Sequence, residues 1–268
     1  MPVILNIETS TNVCSIALSE NGNCIFSKVN ADGLNHAKLL SSFIEEALTF
    51  LKEQNKKLDA VAVSAGPGSY TGLRIGVSTA KGLCYGLGIP LISISTLAIM
   101  ALAVVSRQSS VDSRQSIVVS RQLSVVSRQL MTNDYRLTTN DYRLTTDDYL
   151  LCPMIDARRM EVYAAFFNEK NELIKDISAD IIDENSYHDL LTKQPVYFFG
   201  NGAEKCKEVL THQNARFLDE IVPLAENMIL FSEQYFAENK FEDVAYFEPF
   251  YLKEFQTTKP LNPLKGTF

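Results

Sequence analysis

The segment from Leu58 to Leu87 constrains the fold most, because it combines a strand, a glycine turn and a helix in immediate succession. Leu58 to Val63 is a short apolar run, Gly66-Pro67-Gly68 interrupts it, and residues of helical period follow. A buried strand that leads through a tight turn into a helix is the repeating unit of α/β proteins. The segment therefore predicts an α/β fold.

The same turn is a candidate anion or nucleotide site. Glycines let backbone N–H groups approach a ligand closely, and the dipole of the following helix favours negative charge there. The Walker pattern is not met, since Leu73 stands where a lysine is required, and the dinucleotide fingerprint fits poorly because its third glycine comes one position late. Most such turns bind nothing, so both interpretations stay open.

A second polar turn follows the first predicted strand, Val3 to Ile7. Its acidic residue and hydroxyls suit a metal-bound water or a phosphate, although hydroxyls in a turn also satisfy the turn's own backbone. The predicted cofactor-binding residues from the two turns are Glu8, Thr9, Ser10, Gly66, Gly68 and Ser69.

Small residues recur at every fourth position beyond the glycine turn, at Gly72, Gly76 and Ala80. This spacing places them on one face of the predicted helix, where another backbone can pack closely. The sequence leaves open whether that backbone belongs to the same chain or to another subunit.

Composition narrows the function classes. The chain has 268 residues and a formal net charge of −7, so the whole molecule is not a self-sufficient nucleic-acid binder; a local patch or a partner would have to hold a nucleic acid.

Its five cysteines form no C-x-x-C pair, which argues against a zinc site or a disulfide framework and favours the reducing cytoplasm. No apolar run reaches transmembrane length and no signal peptide precedes the first strand, so we expect a cytoplasmic protein without a membrane partner.

The two halves of the chain have a similar order of predicted strands and helices. The first half is predicted as βββαβα, and Ile7-Glu8 aligns without gaps with Ile155-Asp156 in the second half. Sequence identity between the halves is slight, but the matching order predicts a duplicated, two-lobed α/β fold. The predicted domains are an N-terminal lobe at 1–103, an insertion at 104–151 and a C-terminal lobe at 152–268.

The predicted insertion consists of tandem seven-residue units. Val-Ser-Arg-Gln recurs at 105, 119 and 126, and Thr-Asn-Asp-Tyr-Arg-Leu-Thr occurs at 132 and 139. The apolar spacing does not fit a coiled-coil seam, and the density of Asn, Asp, Ser and Thr disfavours a long helix. We interpret the segment as a low-complexity, mobile loop; a basic binding arm is the alternative that its arginines leave open.

No complete catalytic set is recognisable. Only three histidines are present, and Leu40 stands four residues after His36, where a second histidine would build a metal-binding helix face. No Ser-His-Asp or Cys-His arrangement can be argued from spacing. The sequence therefore predicts neither catalytic nor metal-ligating residues.

Five motifs together resemble one protein family. They are Ile4-Leu5-Asn6-Ile7-Glu8-Thr9-Ser10-Thr11, His36-Ala37-Lys38-Leu39-Leu40, Gly66-Pro67-Gly68-Ser69-Tyr70-Thr71-Gly72-Leu73-Arg74-Ile75-Gly76-Val77, Ile155-Asp156-Ala157-Arg158-Arg159-Met160-Glu161-Val162-Tyr163 and Pro249-Phe250-Tyr251-Leu252-Lys253. In this order and spacing they resemble the bacterial TsaB family, also called YeaZ. The resemblance covers the chain except residues 104–152, and Glu8 departs from the aspartate of many members.

The resemblance implies an actin-like (ASKHA, ribonuclease H-like) fold of two duplicated lobes. It also implies a scaffold or activating role, as a pseudoenzyme, in making threonylcarbamoyladenosine at position 37, beside the anticodon of tRNAs that read codons beginning with A. In that pathway the catalytic paralogue TsaD transfers the threonylcarbamoyl group. TsaD-type proteins carry a histidine pair where this chain has His36 and Leu40.

The implied partners are a TsaD-type catalytic subunit, a TsaE-type ATPase, tRNA reached through the complex, and a second copy of the chain when it is alone. The implied interface comprises His36, Leu40, Gly72, Ile75, Gly76, Thr79 and Ala80. No cofactor is implied, although weak binding of ATP or ADP stays open. The alternative hypothesis is an independent ATPase or phosphotransferase of the same fold that uses Glu8, Thr9 and the glycine turn; a protease is disfavoured.

Overall fold

The structure, a computed structural model, describes residues 2–33, 35–113, 144 and 148–253. The strands of the first half are β1 (Val3–Glu8), β2 (Cys14–Glu20), β3 (Asn23–Asn30), β4 (Ala60–Gly66) and β5 (Leu91–Ser95). Its helices are α1 (His36–Glu53), α2 (Tyr70–Leu87) and α3 (Thr96–Ser113). The strands of the second half are β6 (Leu150–Asp156), β7 (Glu161–Phe167), β8 (Leu173–Ile181), β9 (Val196–Phe199) and β10 (Ala215–Leu218). Its helices are α4 (His188–Leu191) and α5 (Ile229–Ala237), with short 3₁₀ helices at Glu204–Cys206 and Ala225–Met228.

The two halves form two sheets of identical topology. The first has the order β3-β2-β1-β4-β5, and the second repeats it as β8-β7-β6-β9-β10. In both sheets the first three strands of the half pair antiparallel and the last two join in parallel. Glu8 and Asp156 end the equivalent strands β1 and β6. The predicted duplicated α/β fold is confirmed.

Alternate residues of β1 pack on opposite faces of the first sheet. Val3, Leu5 and Ile7 of β1 pack in the cluster that includes the apolar faces of α1 and α2, whereas Ile4 packs on the opposite face. This alternation is the period-two pattern of a strand buried on both faces, which explains why β1 is continuously apolar.

Each sheet packs against a helix from the other half of the chain. Leu97 and Met100 of α3 pack against the second sheet, beside Leu151 and Phe199. In return, Met228 and the first residue of α5 pack on the inner face of the first sheet. The backbone N–H of Ala225 donates to Ser15 Oγ of β2 at 3.0 Å. The C-terminal part of the chain therefore contributes to the core of the first lobe.

Helix α3 extends into the segment predicted to be a mobile loop. Residues 104–113 are helical, because the apolar start of α3 carries the helix past Ala103. The loop prediction is wrong for these ten residues, while 114–143 and 145–147, which hold most of the seven-residue units, lie outside the described residues. Among the helices that the structure describes, none is both long enough and apolar enough to cross a membrane.

Candidate functional site

A buried carboxylate ends the first strand. Glu8 is fully buried, and its Oε1 accepts a hydrogen bond from the backbone N–H of Ser10 at 2.6 Å. The other oxygen, Oε2, has no hydrogen-bond partner among the described residues, and the same holds for Oγ of Ser10 and of Ser64. Burial raises the pKa of Glu8 to about 7. Ser64 of β4 was not among the predicted site residues, because it belongs to no sequence motif that indicates a binding site.

The glycine turn packs against the end of β1. A Cβ atom on Gly68 would collide with the carbonyl oxygen of Ser10, and one on Gly72 would collide with that of Thr9. The backbone N–H of Ser69 donates to the Ser10 carbonyl at 2.6 Å. The glycines are thus required for a close approach of the chain to itself.

The first turn of α2 is capped from within. Ser69 is the N-cap residue: its Oγ accepts a hydrogen bond from the Gly72 N–H at 3.2 Å, and its carbonyl accepts one from Leu73 N–H at 2.8 Å. The six predicted binding residues therefore lie together, but the Ser69 amide, Gly68 and one oxygen of the Glu8 carboxylate already contact the chain itself. The residues present do not fit a phosphate cradle.

The C-terminal segment, residues 239–253, also lies against this turn. The backbone N–H of Phe250 donates to the Ala65 carbonyl at 2.7 Å, and a Cβ on Gly66 would be 2.8 Å from the Phe250 carbonyl oxygen. The ring of Tyr251 lies 4.9 Å from that of Tyr70. Sequence reasoning assigned no site role to this segment; its motif entered only through the family resemblance.

The second half has an equivalent turn in a different environment. Gly202 N–H donates to the Met154 carbonyl at 3.0 Å, so the glycine turn after β9 also packs on the neighbouring strand β6. Asp156 is exposed and forms an ion pair with Lys205, whereas Glu8 is buried without a cationic partner among the described residues. The two carboxylates are equivalent in topology but not in chemistry.

The predicted interface residues divide into two groups. Leu40, Gly72, Gly76 and Ala80 are buried within the chain, and Gly76 faces the hydroxyl of Thr9. The proposal of a close-packing surface is therefore corrected for these four residues: the backbone that approaches the small-residue stripe is that of β1 and the turn after it.

His36, Ile75 and Thr79 are half-buried and remain accessible. His36 Nε2 donates to the Thr11 carbonyl at 2.9 Å, which links α1 to the turn after β1. Thr79 lines an open groove of about 450 Å³ between α1 and α2. The other residues that line this groove are Ser41, Ile44, Glu45, Leu48, Thr49 and Lys52.

Potential metal ligands do not cluster in the described part of the chain. No group of three or more His, Cys, Asp or Glu side chains there could hold a metal ion. His188 and His212 are neighbours, with ring centroids 6.0 Å apart, but they lie in the second lobe, away from Glu8.

Comparison with known proteins places these features in a family context. Residues 32–121 match the family TsaD, described as tRNA N6-adenosine threonylcarbamoyltransferase. The tRNA threonylcarbamoyladenosine biosynthesis protein TsaB of Buchnera aphidicola subsp. Acyrthosiphon pisum (strain APS) is 41% identical over 99 residues, which are 37% of this chain and 44% of that protein. TsaB of Bacillus subtilis (strain 168) is 26% identical over 213 residues, 77% of this chain and 74% of that protein.

The aligned part spans less than half the length of several of the more similar curated relatives. The structure of YeaZ from Pseudomonas aeruginosa matches across 94% of this chain and 100% of that chain, with a TM-score of 0.67 at 21% sequence identity. This likeness shows that the two-lobed fold is shared. The family resemblance that the five motifs indicate is thus confirmed: the chain is similar to the bacterial TsaB proteins, has the fold of YeaZ, and matches the TsaD family model over residues 32–121.

Proposed function

We propose that this chain is a non-catalytic scaffold or activating subunit in the biosynthesis of threonylcarbamoyladenosine in tRNA. In this proposal a TsaD-type partner transfers the threonylcarbamoyl group to the adenosine at position 37 of tRNAs that read codons beginning with A. The observation that carries the proposal is the 41% identity, over 99 residues, to a protein named for this pathway.

The geometry of the strand-end turns supports a subunit without its own chemistry. Catalysis of phosphoryl transfer requires donors that point at the ligand, together with a cation or base beside the reacting atoms. Here the Ser69 amide is bonded to Ser10, and burial raises the pKa of Glu8 to about 7, so its carboxyl group is largely desolvated and partly protonated at neutral pH. We propose that the turn has become structural and that the chain needs no cofactor.

The accessible groove between α1 and α2 is the proposed contact with partner subunits. It is open to solvent and is lined by the apolar side chains of Ile44 and Leu48, with Glu45 and Lys52 beside them. A mixed apolar and charged surface of this kind suits a second pair of helices. We propose that a TsaD-type subunit or a second copy of the chain binds here, and that a TsaE-type ATPase and tRNA join through the resulting complex.

Reconstitution of the modification tests the proposal. Unmodified tRNA, threonylcarbamoyl-adenylate, and purified TsaD-type and TsaE-type proteins are incubated with and without this chain, and the modified nucleoside is measured by mass spectrometry. Formation that depends on the chain supports the scaffold. Equal formation without it would contradict the proposal, as would robust ATP hydrolysis by the isolated chain that Glu8→Ala abolishes, since this is the behaviour of an independent ATPase.

A further inference from the structure

A series of side-chain contacts runs from Arg74 in the first lobe to the second lobe. Arg74 lies over the ring of Tyr70 at 4.4 Å, and Tyr70 contacts Tyr251 of the C-terminal segment. Two residues further, Lys253 forms an ion pair with Glu161 of β7. Contacts within this C-terminal segment therefore connect the start of α2 to the second lobe.

The series continues on the turn between β6 and β7. Lys253 and Arg158 both act electrostatically on the phenol of Tyr163, which places all three side chains in one neighbourhood. Arg158 and Arg159 are exposed and follow each other in this turn. We call the surface formed by the exposed Arg74, Lys253, Arg158 and Arg159, together with the half-buried Tyr251 and Tyr163, the arginine strip.

The two arginines of the turn are held in an unusual backbone conformation. Arg158 has φ 72° and Arg159 has φ 51°, values in the left-handed region that residues other than glycine and asparagine rarely adopt. Asp156 Oδ1 accepts from the Arg158 N–H at 3.1 Å, and Lys205 donates to both Asp156 and the Glu161 carbonyl. Consecutive positive φ values occur in the tight turns that join antiparallel strands, here β6 and β7, so the hairpin fixes the backbone of both arginines.

The charge of the arginine strip is not balanced by its surroundings. The carboxylates beside it include Glu161, which pairs with Lys253, and Asp156, which pairs with Lys205. Glu248 is a further acidic neighbour, which acts electrostatically on the phenol of Tyr251. The strip is therefore locally basic in a chain whose formal net charge is −7.

We propose that the arginine strip binds the phosphate backbone of RNA. This inference rests on the proposed function, because it takes tRNA as the substrate of the complex. Guanidinium groups recognise phosphate oxygens in bidentate geometry, and arginines interleaved with tyrosines are typical of RNA-binding surfaces that contact loops. An acidic protein segment would use the same charges without needing the aromatic rings, so RNA is the occupant that the composition favours.

Direct binding of RNA tests the inference. The probe is a fluorescently labelled anticodon stem-loop of a tRNA that reads codons beginning with A, titrated with the full chain alone and with the chain bound to its TsaD-type partner. The double variant Arg158→Gln/Arg159→Gln should bind on the order of tenfold more weakly, and the slope of log K against log salt should fall by about 1 for each arginine removed. Arg74→Gln should act in the same direction with about half the change in slope.

Arg216→Gln is the matched control. Arg216 is also exposed, but it lies on β10, outside the strip, so its removal should leave RNA affinity and slope unchanged. The unfolding curve of each variant is measured in parallel, and Arg74→Gln lies on a different element from the strained turn, so a folding defect in the double variant does not decide the result.

Several outcomes would overturn the inference. One is RNA affinity that is equal in the wild type and in both strip variants; another is the absence of RNA binding by the wild-type chain in either state. A third is weaker TsaD binding by the variants while the RNA affinity of the chain alone is unchanged, since the strip would then be a protein contact. If tRNA modification still depends on the chain in these cases, only the proposed RNA binding by the arginine strip is contradicted. If tRNA modification proceeds without the chain, the proposed function is contradicted instead.

Discussion

Thr9 Oγ1 donates a hydrogen bond to the carbonyl oxygen of Gly72 at 2.8 Å, and both residues are buried. This contact joins the end of β1 to the first turn of α2 across the glycine turn. A Cβ on Gly72 would collide with the backbone carbonyl of Thr9, and one on Gly76 would collide with its hydroxyl. The small-residue stripe of α2 therefore acts inside the chain, where it sets how closely the helix packs on the strand.

Gly72→Ala should destabilise the fold. The added methyl group meets a backbone oxygen that no side-chain rotation can move, so we expect a loss on the order of 2 kcal/mol in the free energy of unfolding. Gly82→Ala, in the same helix, is the control: a Cβ there meets nothing within 4 Å. That variant should gain about 0.5–1 kcal/mol, because alanine has the higher helix propensity. Urea unfolding of both variants measures the difference, and equal effects would contradict the internal role of the stripe.

Glu8 should make stability fall as pH rises. Its pKa is raised from 4.5 to about 7 in the folded chain, so between these values the folded state holds a proton that the unfolded state has released. The protonated carboxyl group therefore favours the folded state at acidic pH, and up to about 3 kcal/mol of that preference is lost once the pH exceeds 7.

Glu8→Gln removes this dependence. The difference in unfolding free energy between the variant and the wild type should move in favour of the variant from about pH 5 to about pH 8. Glu45→Gln, which changes an exposed carboxylate of α1, serves as the control and should show a much smaller change. A pH-independent difference for Glu8→Gln would show that the carboxyl group does not titrate in this range.

Lys81 should hold the C-terminal segment on the first lobe. Its Nζ donates to the carbonyl oxygens of Ala245 and Phe247, at 3.2 and 2.9 Å. Lys81→Met keeps the aliphatic stem but removes both bonds, so we expect faster hydrogen exchange of the Phe250 amide and faster proteolysis in 239–253. Lys57→Met, in the loop before β4, is the control. Unchanged exchange in Lys81→Met would mean that the Phe250–Ala65 bond alone retains the segment.

Thr79→Arg should weaken subunit association. Thr79 lines the groove between α1 and α2, and an arginine there would fill the groove and place a charge in it. Co-purification with a TsaD-type partner and self-association measured by analytical ultracentrifugation should both decrease, while the unfolding free energy stays within about 0.5 kcal/mol of the wild type. Thr211→Arg, at an exposed position of the second lobe, tests for a nonspecific charge effect. Normal association of Thr79→Arg would exclude this groove as the interface.

The sequence was sufficient to predict the sheets. Period-two and continuous apolar runs placed the strands of the first half to within three residues, and the alignment of Glu8 with Asp156 matched the ends of β1 and β6. These features are local, since strand length and turn residues are encoded by neighbouring positions. The same local rules failed at 104–113, where an apolar helix continues into a repeat whose later units are polar.

Contacts distant in sequence could not be predicted. Nothing near Gly66 or Gly68 indicates that Phe250 and Ser10 occupy the space beside them, so a turn that packs on its own chain has the same local sequence as one that binds an anion. The burial of Glu8 is equally nonlocal, because it depends on the elements that cover the inner face of the first sheet. Whether a polar residue is structural or functional is decided by such contacts.

The exchange of helices between the lobes has a consequence for synthesis on the ribosome. The inner face of the first sheet, which includes Ile4, Ala62 and Ile94, is covered in part by Met228 and Ile229. Until those residues leave the exit tunnel, the N-terminal lobe carries an open apolar face, and such exposed apolar surface makes a nascent chain prone to aggregation. The nascent lobe can therefore mature only after more than four-fifths of the chain has been translated, although its own strands are complete at Ser95.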